Sequence, residues 1–251
     1  AFMKKVLKHT MSAFSAGGLL LVLYAMKGLF PFGEYTISWC DMNQQVVPLL
    51  CEFKDILEGK GSLFLNLQNA GGMNFWGVFL FFISSPFTFL VAFVEKWQMM
   101  RFANILVLLK MMLCAGCASI FFDRVFPKLR PVFVIILSVS YAFCGYTMLF
   151  YQNMVWLDMM YLFPLFLLSL RRLAKTGSLV PYAFSLAAMI AVNFYLGYML
   201  VLFLILAAGI WILFFSPRAT RGQRTVQLAA GTLGAGLLSA VIWIPALLQY
   251  L

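Results

Sequence analysis

Histidine occurs once in this 251-residue sequence, as His9, and acidic side chains occur only eight times. A single histidine beside the lysines of the N-terminal tail removes His-based nucleophilic triads and His-rich metal sites from the rest of the chain. Charged residues of both signs make up 10% of the sequence, against roughly 25% in an ordinary soluble domain. A water-soluble globular fold is excluded on that ground. Aromatic residues at 17% exclude disorder as well. Neither a Walker A loop nor a G-x-G-x-x-G motif is present, so no nucleotide site is expected. Cysteine is sparse, at five. Cys114 and Cys117 form a C-x-x-C inside an apolar run with no second pair, which reads as buried thiols and not zinc ligands. Cys40 and Cys51 could pair, and their spacing leaves that open.

What is abundant is apolar surface. Hydrophobic residues make up 64% of the chain and the mean hydropathy is +0.96. A membrane-crossing helix needs about 20 apolar residues, and continuous runs of that kind cover 11–30, 76–94, 104–122, 132–150, 157–170, 180–215 and 226–245. Continuous runs exclude an outer-membrane barrel, whose strands alternate. The run 180–215 is too long for one crossing. Asn193-Phe194-Tyr195-Leu196-Gly197-Tyr198 interrupts it, giving spans at about 180–193 and 198–215. The expected fold is therefore all-α, a polytopic transmembrane bundle. The chain reads as the N-terminal transmembrane domain, 1–251, of a longer protein.

The formal charge of +10 would suggest nucleic acid as partner in a soluble protein. In a membrane protein it reads as cytoplasmic-loop charge, and no nucleic-acid partner is expected. With the N-terminus inside, Lys4, Lys5 and Lys8 join Arg124, Lys128, Arg130, Arg171, Arg172, Lys175, Arg218, Arg221 and Arg224 on the inner side. There they face one acid, Asp123. The stretch 31–102 then lies outside with four basic and six acidic residues. This assignment requires that 76–94 not cross. Ser84-Ser85-Pro86 divides that run at its midpoint, and proline removes a backbone donor and clashes with the preceding turn. The segment 76–94 is expected to be a re-entrant or surface-lying hairpin on the outer side. Non-helical backbone at that depth must be buried in protein or line a cavity.

The outer loop, 31–75, is too long for a mere connector. Within it Val46, Leu49, Leu50, Phe53, Ile56 and Leu57 recur at helical spacing, with Glu52, Asp55 and Glu58 largely on the other face and Gly59 as a stop. This predicts an amphipathic helix on the outer membrane surface. Asp41 stands just before it. It is either an N-cap, with Gln44 three residues on, or part of a Ser38-x-x-Asp41 capping box. The chemical alternative is a general base that activates a hydroxyl. Asp158 is the one acid inside a span, where carboxylates are costly and default to functional candidates; helix capping at the interface is the structural alternative. Lys110 lies about seven residues into its run, for pairing with Asp158 or with a lipid phosphate. Lys27 reads as a snorkelling residue.

At these residues the chain resembles the YfhO family of bacterial multi-span membrane proteins. The matching stretches are Trp39-x-Asp41 with Gln45, Asp55-Ile56-Leu57, Gly71-Gly72-x-Asn74-Phe75, Ser85-Pro86-Phe87 and Lys110. They continue with Ser138-x-x-Tyr141-Ala142-x-x-Gly145-Tyr146, Asn153-Met154-x-Trp156-Leu157-Asp158 with Pro164, and Asn193-Phe194-Tyr195-x-Gly197-Tyr198-Met199. They run from about residue 33 to 200. The match departs around Gln68-Asn69-Ala70 and Met73, where a tighter glycine-rich run is expected.

The resemblance implies a GT-C-type glycosyltransferase of the bacterial cytoplasmic membrane, acting on its outer face. The donor would be a polyprenyl-phosphate-linked sugar. The acceptor would be a cell-envelope polymer such as lipoteichoic acid. Asp41 would carry the catalytic base and Asp158 the second carboxylate. Lys110, Gln45, Asn74, Asn153, Trp156 and Tyr195 would line the substrate site. Two such carboxylates could hold Mg²⁺ or Mn²⁺, and the sequence leaves metal use open. The rival readings are a transporter or flippase of a lipid-linked precursor, for which no inverted repeat is found, and a non-catalytic scaffold.

Overall fold

The computed structural model describes residues 2–67 and 71–248, without the side chains of Phe2, Lys4 and Lys5. The departure at Gln68-Asn69-Ala70 and the charges of Lys4 and Lys5 therefore lie outside the described residues. Among those described, the only β pairing is two isolated bridges, Leu29 with Tyr35 and Asn66 with Met73. The architecture is all-α. Among the described residues five helices are long and apolar enough to cross a membrane: Val6–Met26, Lys96–Val125, Pro131–Phe150, Met154–Thr176 and Phe194–Phe215.

Helix α1 (Phe2–Met26) and α4 (Met99–Val125) pack antiparallel. Lys8 pairs with Asp123 and His9 meets Ser119 at one end, while the Tyr24 hydroxyl donates to the Asn104 carbonyl at the other. The chain from 27 to 98 therefore leaves and returns at the same end of the bundle. Helix α7 (Met154–Thr176) runs parallel to α4, since Lys110 meets Asp158 while Arg171 approaches Arg124. Between them α5 (Pro131–Ala142) and α6 (Gly145–Phe150) make the return. Helix α8 (Leu179–Val192) turns back along α7 through Ser169 and Ser185. Helix α9 (Phe194–Ile210) follows it after a single extended residue, Asn193. The Asn193 side chain explains the sharp break. Its Oδ1 accepts from the Leu196 amide at 2.8 Å and its Nδ2 donates to the Phe81 carbonyl at 3.0 Å. Gly197 is required there, because a Cβ on it would lie 2.8 Å from the Ile190 Cα.

The topology sorts charge by end. Lys8, Asp123, Arg124, Arg171 and the loop before α10 (Arg221–Leu238) share one end, here the basic end. The loop carrying Glu34, Asp41, Asp55 and Glu58 occupies the other, the acidic end. Between lipid-exposed helices the hydrophobic effect supplies little attraction, so close packing and polar contacts must hold the bundle. The seam of α4 is accordingly built on small residues: Ala103, Cys114, Ala115 and Ala118 are all buried. The outer faces keep large apolar side chains exposed, among them Phe133, Ile136, Phe184, Phe203 and Leu206.

The hairpin consists of α3 (Phe75–Val78), continued by a π turn Phe79–Ile83, and then a 3₁₀ segment Pro86–Phe93. The two arms meet at 109° across Ser84 and Ser85, where Pro86 stops the first arm. The bend enters the bundle. Ser85 lies beside Lys110, eleven residues or about 16 Å down α4 from its start. Backbone groups freed by the break are met by side chains. The Thr88 hydroxyl donates to the Ile83 carbonyl at 2.7 Å, and the Ser85 hydroxyl accepts from the Phe87 amide.

Two elements differ from the sequence expectation. The amphipathic helix is present as a π turn Met42–Val46 running into α2 (Val47–Leu57), but its apolar face packs on protein. Val46, Leu49, Leu50 and Phe53 are buried, with Phe53 against Phe75, Phe79 and Phe89 of the hairpin, while Leu57 is exposed. The hairpin supplies the apolar partner that the sequence reading assigned to lipid. The expected span 226–245 is instead bent by 71° between α10 and α11 (Ala240–Leu248). The buried Ser239 hydroxyl donates to the Ala235 carbonyl at 2.8 Å, a bond that competes with the helix ladder and bends it.

Candidate functional site

The site lies where the loop, the hairpin and the first turn of α7 meet. Asp41 sits at the start of the π turn, with φ −56° and ψ −29°, already helical. Its side chain caps nothing. The free amides of Asn43 and Gln44 bond instead to the Cys40 carbonyl. Both capping readings of Asp41 therefore fail. Cys40 pays for the turn, with φ +46° in the left-handed region that a non-glycine residue adopts at a cost of about 1–3 kcal/mol. Cys40 and Cys51 are both free thiols.

Asp41 instead faces a residue 112 positions away in sequence. The buried Asn153 amide nitrogen donates to Asp41 Oδ2 at 3.3 Å. Asn153 precedes α7 without capping it by its side chain, so its amide is free for this role. The next residue, Met154, offers its carbonyl to Lys110 Nζ at 2.9 Å. Lys110 Nζ also donates to Asp158 Oδ2 at 2.8 Å and to Ser85 Oγ at 3.2 Å. One ammonium thus ties α4, the hairpin tip and the first two turns of α7 together. Lys110 is 2% exposed and Asp158 is 0% exposed. A cavity of about 10 Å³, room for about one water, lies against Lys110, Ser85 and Met154.

The remaining candidates are spread around this core. Gln45 is half-buried in the π turn, four residues past Asp41. Trp156 joins an aromatic cluster with Phe150 and Tyr146, at ring separations of 5.2 and 6.5 Å. Asn74 is the N-cap of α3, accepting from the Trp76 amide at 3.0 Å. Tyr195 is exposed and stands 5.8 Å from Phe81 on the α9 side of the hairpin. The structure brings Asp41 to Asn153 and Lys110 to Asp158, and puts Asn74 and Tyr195 on other faces of the hairpin.

Asp158 is paired with Lys110, and among the described residues Asp41 is the carboxylate of the two with no cation within 4 Å. Among the described residues no three His, Cys, Asp or Glu side chains gather where a metal ion could be held.

Several positions escaped the sequence reading. Asn104, fully buried, accepts from the Ile37 amide at 3.1 Å and donates to the Phe30 carbonyl at 3.0 Å, pinning the strap that leads to Asp41. Tyr151 holds the same strap through the Ile37 carbonyl at 3.1 Å. Ser84, legible in the sequence only as part of the break, also fastens the hairpin to the Ala191 carbonyl at 2.7 Å. An asparagine inside an apolar run was the available signal for Asn104.

At the acidic end, Lys54 and Lys60 pair with Glu58, Lys96 with Asp55, and Arg101 with Glu34. Hydrogen bonds from Lys54 and Lys60 hold the Glu58 carboxyl down at about 2. Lys27 has no carboxylate within 4 Å among the described residues. It lines a groove of about 160 Å³ with Leu20, Tyr24, Ile37 and Tyr151.

Compared with known families, residues 13–251 match the family described as bacterial membrane protein YfhO. No curated protein and no solved structure matches the chain.

Proposed function

The chain belongs to the YfhO family of bacterial membrane proteins, and from that membership we propose that it is a membrane glycosyltransferase of the GT-C type. It moves a sugar from a polyprenyl-phosphate carrier to a hydroxyl of a cell-envelope polymer of the lipoteichoic-acid kind. The observation that carries this reading is Asp41. It is a carboxylate with no capping duty, set on a strained turn and aimed by a buried amide 112 residues away. Structural acids are normally absorbed by caps or ion pairs, and among the described residues this one is in neither.

In the proposed reaction the acceptor hydroxyl attacks the anomeric carbon of the donor sugar. The bond from that carbon to the carrier phosphate breaks, and its electron pair stays on the phosphate oxygen. Asp41 takes the hydroxyl proton, and the anomeric configuration inverts. Asn153 fixes the carboxylate without neutralising it. Lys110 is spent on Asp158, Met154 and Ser85, so its part is positioning: it anchors the α7 start from which Asn153 reaches Asp41. The groove beside Tyr24 and Tyr151 takes the carrier's lipid, with Lys27 as counter-charge to the phosphate. Basic loops favour the cytoplasm. On this reading the basic end faces the cytoplasm and Asp41 lies on the outer side of the bacterial cytoplasmic membrane.

Purified full-length protein in vesicles, given a radiolabelled polyprenyl-phosphate sugar and the acceptor polymer, tests this. Labelled polymer is the expected product. Movement of labelled carrier across the bilayer with no labelled polymer would replace this reading with the flippase.

A further inference from the structure

Another apolar space lies far from Asp41. A cleft of about 340 Å³ opens between α7, α9 and α10 at the basic end, within the size range of small-molecule sites. Phe166, Leu170, Leu200 and Leu204 are among its walls, and Arg171, Arg224 and Gln227 stand at its mouth. The Arg224 guanidinium carbon sits 4.6 Å over the Trp211 ring, and the Arg224 Nη1 donates to the Ser216 hydroxyl at 3.3 Å. Its fork is therefore held in place. Arg171 donates to the Arg124 carbonyl at 3.5 Å.

Neither guanidinium has a carboxylate within 4 Å among the described residues. Asp123, the acid at this end, is taken by Lys8. The described residues thus leave two guanidinium groups, one of them fixed in position, open to an anion at the cleft. The walls add a second requirement. A cleft this apolar, bordered by α9 with Phe203 and Leu206 exposed toward lipid, suits a hydrocarbon chain and not a free ion. A membrane supplies one molecule class that meets both conditions in place.

We propose that the cleft between α7, α9 and α10 binds an anionic phospholipid of the leaflet at the basic end, its phosphate on Arg171 and Arg224 and an acyl chain between Phe166 and Leu204. The guanidinium fork matches a phosphate diester, and basic pockets between membrane helices are known to hold acidic headgroups. The inference stands apart from the sugar-transfer reading, whose residues lie at the other end.

Native mass spectrometry of the full-length protein, titrated with phosphatidylglycerol or phosphatidylcholine, tests it. Phosphatidylglycerol should be retained about tenfold more strongly. Arg171→Gln and Arg224→Gln should each lower its retention about 5-fold, and the double variant about 25-fold. Ala208→Phe, which fills the cleft without touching charge, should lower it as well. Arg218→Gln, exposed at the same end but outside the cleft, should leave it unchanged. Equal retention of the two lipids by the wild-type protein overturns the proposal whether or not the variants fold. So does a loss in Arg218→Gln equal to that in Arg224→Gln, which would mean a diffuse surface field. Full displacement of phosphatidylglycerol by inorganic phosphate would leave an anion site with no place for the acyl chain, and overturns it too.

Discussion

Removing the Lys110 ammonium should damage the protein more than removing both members of its ion pair. Lys110→Met deletes three donated bonds, to Asp158, Met154 and Ser85, and leaves a carboxylate with no solvent exposure. Breaking a buried pair from one side costs about 3–5 kcal/mol. At about 2–4 °C per kcal/mol for a chain of this size, the melting temperature should fall by roughly 6–20 °C. Asp158→Leu strands the ammonium and should cost a similar amount. The double variant Lys110→Met/Asp158→Leu strands no charge and should melt within about 1 kcal/mol of wild type or above it. The cycle should then show a coupling of about 3 kcal/mol or more. Thermal unfolding in lipid nanodiscs reads the stability, and the transfer assay reads the second consequence. With Met154 released, Asn153 no longer holds Asp41 firmly, so the stable double variant should transfer sugar about tenfold more slowly. Additive losses, with the double variant as unstable as the sum of the singles, would refute the ion-pair reasoning.

Three further outcomes follow from single residues. Asn104→Ala should cost about 2 kcal/mol, since it orphans the Ile37 amide and the Phe30 carbonyl. It should also speed thiol labelling of Cys40 at the end of the same strap; an unchanged labelling rate would mean the strap is held elsewhere. Gly197→Ala should destabilise by about 1–3 kcal/mol, because its methyl meets backbone at Ile190, and a neutral melting curve would show that α8 and α9 can part freely. Glu58, held at about 2, favours the folded loop above its unfolded pKa and loses that contribution as pH falls toward 2. Amide protection across 47–57 should decline over that range in wild type and stay flat in Glu58→Gln, and identical profiles would dismiss the Lys54–Glu58–Lys60 cluster as a contributor.

Local chemistry made much of the fold readable from sequence. Ser84-Ser85-Pro86 marks the hairpin bend because proline cannot continue the first arm. Asn193 marks the α8–α9 break because its side chain can replace the missing backbone partners. What stayed hidden depends on distant partners. Asp41 looks like a cap in its own neighbourhood, and only the arrival of Asn153 from the start of α7 gives its carboxylate another task. Lys110 had two open partners until the parallel run of α4 and α7 brought Asp158 beside it. The apolar face of α2 looked membrane-bound because the sequence cannot show the hairpin packing beneath it. The bend at Ser239 was missed because a serine in an apolar run gives no sign of which carbonyl it will take.

The central claim is that Asp41 accepts the proton of the acceptor hydroxyl, and Asp41→Asn in the full-length protein tests it most directly. The substitution keeps the side chain's shape and removes its basicity, and no cap is lost because Asp41 caps nothing. Sugar transfer should fall by about 10²–10⁴-fold, with the melting temperature unchanged. Transfer near the wild-type rate from an Asp41→Asn protein that melts like wild type would contradict the account.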